Sequence, residues 1–163
     1  MLFNSYHFIF LYFPIVFFGF FWLARFGYSI SALWLSFASL FFYGWWAIEY
    51  VGLLLTSIIF NYAMGYLLGH TKNRGRAKIF LIFSITSNLL LLGFYKYADF
   101  FIGSTNWISD SSIPLVNIVL PLGISFFTFT QIAFIVDVYR GLVREYNFNH
   151  YLLFVTYFPH LIA

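Results

Sequence analysis

The chain has no cysteine among its 163 residues. That excludes a disulfide framework, a thiol nucleophile and a thiolate metal site. Charge is also scarce: 8 Lys and Arg and 5 Asp and Glu make up 8% of the sequence. Soluble domains carry roughly 25% charged residues, so a water-facing surface cannot be assembled from this chain. There is no Walker loop, GxGxxG, HExxH or paired-carboxylate pattern. Nothing therefore points to a phosphate-cradling loop, a helical zinc site or a carboxylate pair. No histidine has a second ligand at metal spacing, and no metal is expected.

What is present is apolar and aromatic. Hydrophobic residues are 63% of the chain, and 25 Phe, 13 Tyr and 5 Trp bring aromatics to 26%. Mean hydropathy is +0.88. At about 20 residues per span the chain has room for several spans, and interfacial aromatics suit such a protein. The predicted class is all-α: a polytopic transmembrane helical protein of about five spans plus the start of a sixth. The pI near 9.2 might point to nucleic acid, but the cations sit in short loops between apolar runs and read as topology signals. The expected partner is the lipid bilayer.

The first span runs over residues 6–24 and includes Pro14. It lacks the preceding basic residues and following small-residue site of a signal peptide, so it reads as retained. The second covers 30–46 and ends on an aromatic cluster, with Glu49 in a short connection. The third, 51–68, carries Ser57, Asn61, Gly65 and Gly69 four residues apart. That is a small-residue ridge for close helix approach. The only strongly hydrophilic run, 70–78, follows. A fourth span at 79–95 leads to a polar loop at 99–112, with room for a short interfacial helix at 100–107. The fifth segment is 113–139, and a sixth begins at Tyr151. With 70–78 inside, alternation puts Arg25, Lys72, Arg74, Arg76, Lys78, Arg140 and Arg144 on that side and only Lys96 outside. This is a positive-inside pattern with the N-terminus outside.

One stretch, Leu120 to Gly141, is apolar enough for a bilayer yet carries Ser125, Thr128, Gln131, Asp137 and Arg140. At 100° per residue Ser125, Thr128 and Gln131 share an arc of about 120°. Pro121 and Gly123 can break the helix before them, which a membrane tolerates only beside protein or a water-filled cavity. The five residues are therefore expected to line a substrate passage. Each has a plainer reading. The hydroxyls and amide can bond helix carbonyls or join helices, and Asp137 can pair with Arg140 three residues on. A catalytic serine is not expected, since no base stands at a fixed spacing. Asn61 and Asn88 read as links between helices. His7, His70 and His150 read as structural or solvated.

Several blocks carry a resemblance: the first eight residues, Tyr43 to Trp46, Gly93 to Ala98, Leu120 to Gly141, and Phe158 to Ala163. Together they closely resemble the membrane-bound O-acyltransferases, nearest the bacterial branch that acetylates alginate and related exopolysaccharides. The resemblance covers the whole chain. It implies transfer of an acyl group from a cytoplasmic, acetyl-CoA-like thioester to hydroxyls of an exported polysaccharide or cell-envelope acceptor. It implies no bound cofactor, a bacterial inner membrane, and other cell-envelope assembly proteins as partners. The family's essential histidine would lie beyond Ala163. Residues 1–163 then read as the N-terminal part of one multi-span domain with no catalytic residue, His160 being the minority candidate. The competing class is half of a multi-pass transporter or channel, where broken helices and midplane polar groups also occur.

Overall fold

The computed structural model describes residues 5–109, 114, 120, 121, 123–143 and 147–157. The described residues form helices and connections, with no strand among them. Helix is what a bilayer demands, because it satisfies backbone groups within one segment. The outer surface fits that setting. Phe10, Phe18, Trp22, Phe37, Ile48, Leu90 and Phe100 are all exposed. Two stretches, Ile48–His70 and Arg74–Ile108, are long and apolar enough to cross a membrane, by length and composition. Only 33% and 22% of their windows are buried, whereas the core helix of a soluble protein would be mostly covered.

The chain opens with a π-wound turn, Phe8–Tyr12, that runs directly into α1, Phe13–Ala24. Pro14 explains the loose winding: it has no N–H to donate, and its ring crowds the carbonyl one turn back. Helix α2 spans Tyr28–His70. Its first part packs antiparallel on α1, with the Tyr12 hydroxyl donating to Ala38 O at 2.7 Å and Trp34 Nε1 donating to Val16 O at 3.1 Å. Gly19 admits the Trp34 indole, since a Cβ there would lie 2.8 Å from three of its atoms.

A straight helix of 43 residues would be about 64 Å long, twice the hydrocarbon core. Instead α2 doubles back. A Cβ at Gly44 would lie 3.3 Å from Val51 Cγ2, although seven residues of straight helix separate positions by about 10 Å. Tyr28 and Tyr62, about 50 Å apart in a straight helix, both touch α5, Phe148–Thr156. Their rings lie 5.5 Å from His150 and 5.0 Å from Phe148. The two arms of α2 thus run antiparallel and stand where two separate spans were expected. The connection expected at Glu49 is not a loop: residues 44–51 are helical on both sides of the reversal, with no proline or turn-forming run among them.

Helix α3, Arg74–Ser109, runs antiparallel to the second arm of α2, pairing Tyr95 with Tyr50 and Asn88 with Asn61. It continues to Ser109, through the described part of the polar loop expected at 99–112, whose residues 110–112 lie outside the described residues, and the interfacial helix expected at 100–107 is its last third. Ser104 and Thr105 allow this by returning their hydroxyls to the carbonyls of Phe100 and Phe101, both at 2.8 Å. Helix α4 is Ile124–Tyr139; of the segment expected at 113–139, residues 113, 115–119 and 122 lie outside the described residues. Gly123 precedes it at φ +70°, a left-handed conformation that glycine adopts without penalty. The expected break at Pro121 and Gly123 is real. Helix α5 starts at Phe148, capped by Asn147, whose side chain accepts from Asn149 N at 2.9 Å. It lies against both arms of α2. Tyr43, Leu54, Ile58, Phe127, Tyr151 and Val155 form the core between them.

Candidate functional site

The ridge of small residues on α2 faces α4. At Gly65 the helices meet so closely that a Cβ would lie 2.5 Å from Phe134 Cε1. One turn earlier the ridge becomes polar, and α2, α3 and α4 share a buried seam of Ser57, Asn61, Asn88 and Gln131. Gln131 and Asn61 are 0% exposed, Asn88 3% and Ser57 8%. Gln131 Oε1 accepts from Ser57 Oγ at 2.6 Å and from Asn61 Nδ2. Asn61 Nδ2 also donates to Asn88 Oδ1 at 3.0 Å, and Asn88 Nδ2 donates to Asn61 Oδ1 at 2.6 Å and to Ser84 O at 2.8 Å. Three helices are tied by one amide chain, because a polar group left alone in hydrocarbon costs several kcal/mol.

The seam is not fully satisfied. Gln131 Nε2, Thr128 Oγ1 and the hydroxyls of Tyr43 and Tyr151 are buried with no partner among the described residues. Thr128 is the telling case. Ser36, Ser39, Thr56, Ser84, Thr130 and Thr156 all return their hydroxyls to the carbonyl one turn back. Thr128 does not, although it is 0% exposed. One turn apart on α4, its hydroxyl and the Gln131 amide keep spare hydrogen-bonding capacity.

The five residues of the expected passage do not share one environment. The buried face of α4 comprises Ile124, Phe127, Thr128, Gln131, Ile135 and Val138 and centres on Gln131. Ser125 lies about 120° away from Gln131, only half-buried, with its hydroxyl 3.5 Å from Lys96 Nζ on α3. Phe127 lies in the core on the same buried face as Gln131, and Phe134 packs 4.3 Å from the Tyr151 ring.

At the far end, α4 closes with Leu142 N donating to Asp137 O and Gly141 N to Val138 O, both at 3.0 Å. With Gly141 at φ +73°, this is a left-handed helix stop that satisfies the last carbonyls. Asp137 is half-buried and Arg140 exposed. Among the described residues no ion pair joins them. Arg140 instead lines a cavity of about 420 Å³ with Lys72 and Arg74. It is the one residue of the five that lines a cavity described here; the closest opening to the seam, about 250 Å³, reaches Ser57 and Asn88 from the α2–α3 side.

His7, His70 and His150 are exposed, His70 with Nδ1 2.9 Å from Tyr66 O. His160 and Arg144 lie outside the described residues. Sequence reading placed Asn61 and Asn88 as helix links but did not connect them with Gln131. The signal available was an Asn in each of two consecutive apolar segments. Nothing in the sequence marked the Tyr43 and Tyr151 hydroxyls.

Over its full length the chain is 37% identical to the peptidoglycan O-acetyltransferase of Helicobacter pylori, covering 36% of that protein. It is 40% identical to the probable alginate O-acetylase AlgI of Pseudomonas aeruginosa and 38% to that of Azotobacter vinelandii, covering 32% and 33% of them. The chain therefore spans about a third of the length of these curated relatives. No family model and no solved structure matches it. The transporter reading finds no support in these names.

Proposed function

We propose that this chain, which belongs with those bacterial O-acetyltransferases along its whole length, is the N-terminal part of a membrane-bound O-acyltransferase domain that acetylates hydroxyls of an exported polysaccharide. The relationship to enzymes named for peptidoglycan and alginate carries the reading. The chemistry follows from the reactants. A hydroxyl oxygen of the acceptor attacks the carbonyl carbon of an acetyl thioester, its proton passes to a base, and the thiol leaves. The base is supplied from outside the described residues: a downstream histidine is the first candidate and His160 the minority one. The polysaccharide, the thioester and other envelope proteins are its partners.

In this reading α4 is a wall of the substrate passage. Its basic end, where Arg140 stands beside Lys72 and Arg74, is the donor's entrance, with Asp137 just inside. Thr128 and Gln131 offer their spare hydroxyl and amide hydrogens to substrate oxygens at mid-helix, and Ser125 with Lys96 marks the acceptor side. The fold-back of α2 supports the orientation, because it returns Arg25 toward the end that holds residues 72–78 and Arg140. That end is cytoplasmic and the N-terminus is outside, in the bacterial inner membrane. Single cysteines at Asn73 and Ser109 check this in intact cells. An impermeant reagent should label Ser109→Cys and spare Asn73→Cys, and the reverse pattern overturns the orientation.

Thr128→Val tests the passage. Because the hydroxyl has no partner among the described residues, its loss should leave folding intact and lower polysaccharide O-acetylation by about tenfold, the worth of one hydrogen bond to a transferring group. Acetylation unchanged at normal protein level would remove Thr128 from the passage.

A further inference from the structure

The connection between α2 and α3 meets the last turn of α4 at one end of the bundle, around the cavity of about 420 Å³. Lys72 and Arg74 line it from one side and Arg140 from the other, with Leu68, Ala77 and Val138 as a buried apolar floor. The three cations come from two separate segments, and none forms an ion pair with a carboxylate among the described residues. Asp137, one turn before Arg140, is not part of the lining. Three like charges converging on an apolar floor repel one another, and that floor strengthens their pull on an anion. Two of them are guanidinium groups, whose planar forks fit phosphate oxygens in pairs. The N-terminal turn of α3 begins at Arg74 and points its positive dipole end to the same side, its Gly75 and Arg76 N–H groups being capped by Asn73 Oδ1.

General positive-inside charge does not account for this convergence. Arg25, Arg76 and Lys78 are also exposed, yet they do not line the cavity. A charge that only sets topology has no need of a partner from another segment.

We propose that Lys72, Arg74 and Arg140 form a binding site for a phosphate group, carried either by an anionic membrane lipid or by a soluble phosphate-bearing ligand. The site is a property of this chain and stands whether or not the chain takes part in acyl transfer. Its test uses the 163-residue chain in phosphatidylcholine nanodiscs. One arm titrates inorganic pyrophosphate. The other adds a minority of phosphatidylglycerol and counts retained lipids by native mass spectrometry. Saturable binding is expected in at least one arm. Binding to phosphatidylglycerol alone assigns the site to a lipid headgroup, and binding to pyrophosphate alone assigns it to a soluble ligand. Arg140→Gln and Lys72→Gln should each weaken binding by about tenfold, the scale of one charge-assisted hydrogen bond. Arg140→Lys should weaken it less while keeping the charge, which guards against a misfolded variant. Arg76→Gln and Arg25→Gln remove the same charge outside the cavity and should change it by about twofold or less. No saturable binding in either arm overturns the proposal. So does an equal loss in the Arg76→Gln and Arg25→Gln controls, which would mean diffuse attraction at this end of the protein.

Discussion

Two regions of this molecule use the same apolar composition in opposite ways. Where α1 lies on the first arm of α2, the contact is almost wholly aromatic and aliphatic. Phe8, Tyr12, Val16, Ala38 and Phe42 form its buried cluster, and its cross-helix hydrogen bonds come from Tyr12 and Trp34, each to a backbone carbonyl. Where the second arm of α2 meets α3 and α4, side-chain amides bond one another across three helices. In lipid the first kind of contact has little hydrophobic drive, since tails are as apolar as the side chains; it relies on shape. The second kind fixes register and identity, because a slipped helix strands its amides. The aromatic layer can tolerate exchange, and the amide seam cannot.

The sharpest way to break this comparison is Asn61→Leu. It removes the residue bonded to both neighbouring helices and leaves Asn88 Oδ1 without a donor. Thermal unfolding of the detergent-solubilised chain should show a loss of about 2 kcal/mol. Trp34→Phe, in the aromatic layer, should cost about 0.6 kcal/mol, because Val16 O loses a side-chain donor in a region held by packing. If the two variants melt together, the regions do not differ as described. Thr128→Val comes last on this scale. It should leave stability unchanged or raise it by about 1 kcal/mol, since burying a hydroxyl that has no partner among the described residues is unfavourable. A loss of stability would show that the hydroxyl has a structural partner.

Much of this arrangement was legible in the chain. The ridge of Ser57, Asn61, Gly65 and Gly69 announced a close helix contact, and Phe134 occupies it. Pro121 and Gly123 announced a broken backbone, and Gly123 sits in the left-handed region. Thr128 and Gln131 announced buried polarity on α4. Ser125 misled because a 120° arc is wider than the face that α4 buries. Element ends misled for a related reason. Local polarity at Glu49 and at residues 99–109 looks like a loop, but helix absorbs isolated polar residues when no proline stops it. Asp137 and Arg140 illustrate the last limit: their spacing permits a pair, but only the fold reveals Lys72 and Arg74 as Arg140's neighbours.

The doubling back of α2 also bears on how such a chain enters a membrane. Two apolar arms joined by an ordinary loop require that loop's free peptide groups to be carried across the hydrocarbon, each at a cost of several kcal/mol. Between Gly44 and Val51 every residue is helical, so only the few peptide groups at the reversal itself are left over. The arms can therefore enter as one hairpin with a short leading edge, Arg25 and Lys72 lying together at its trailing end.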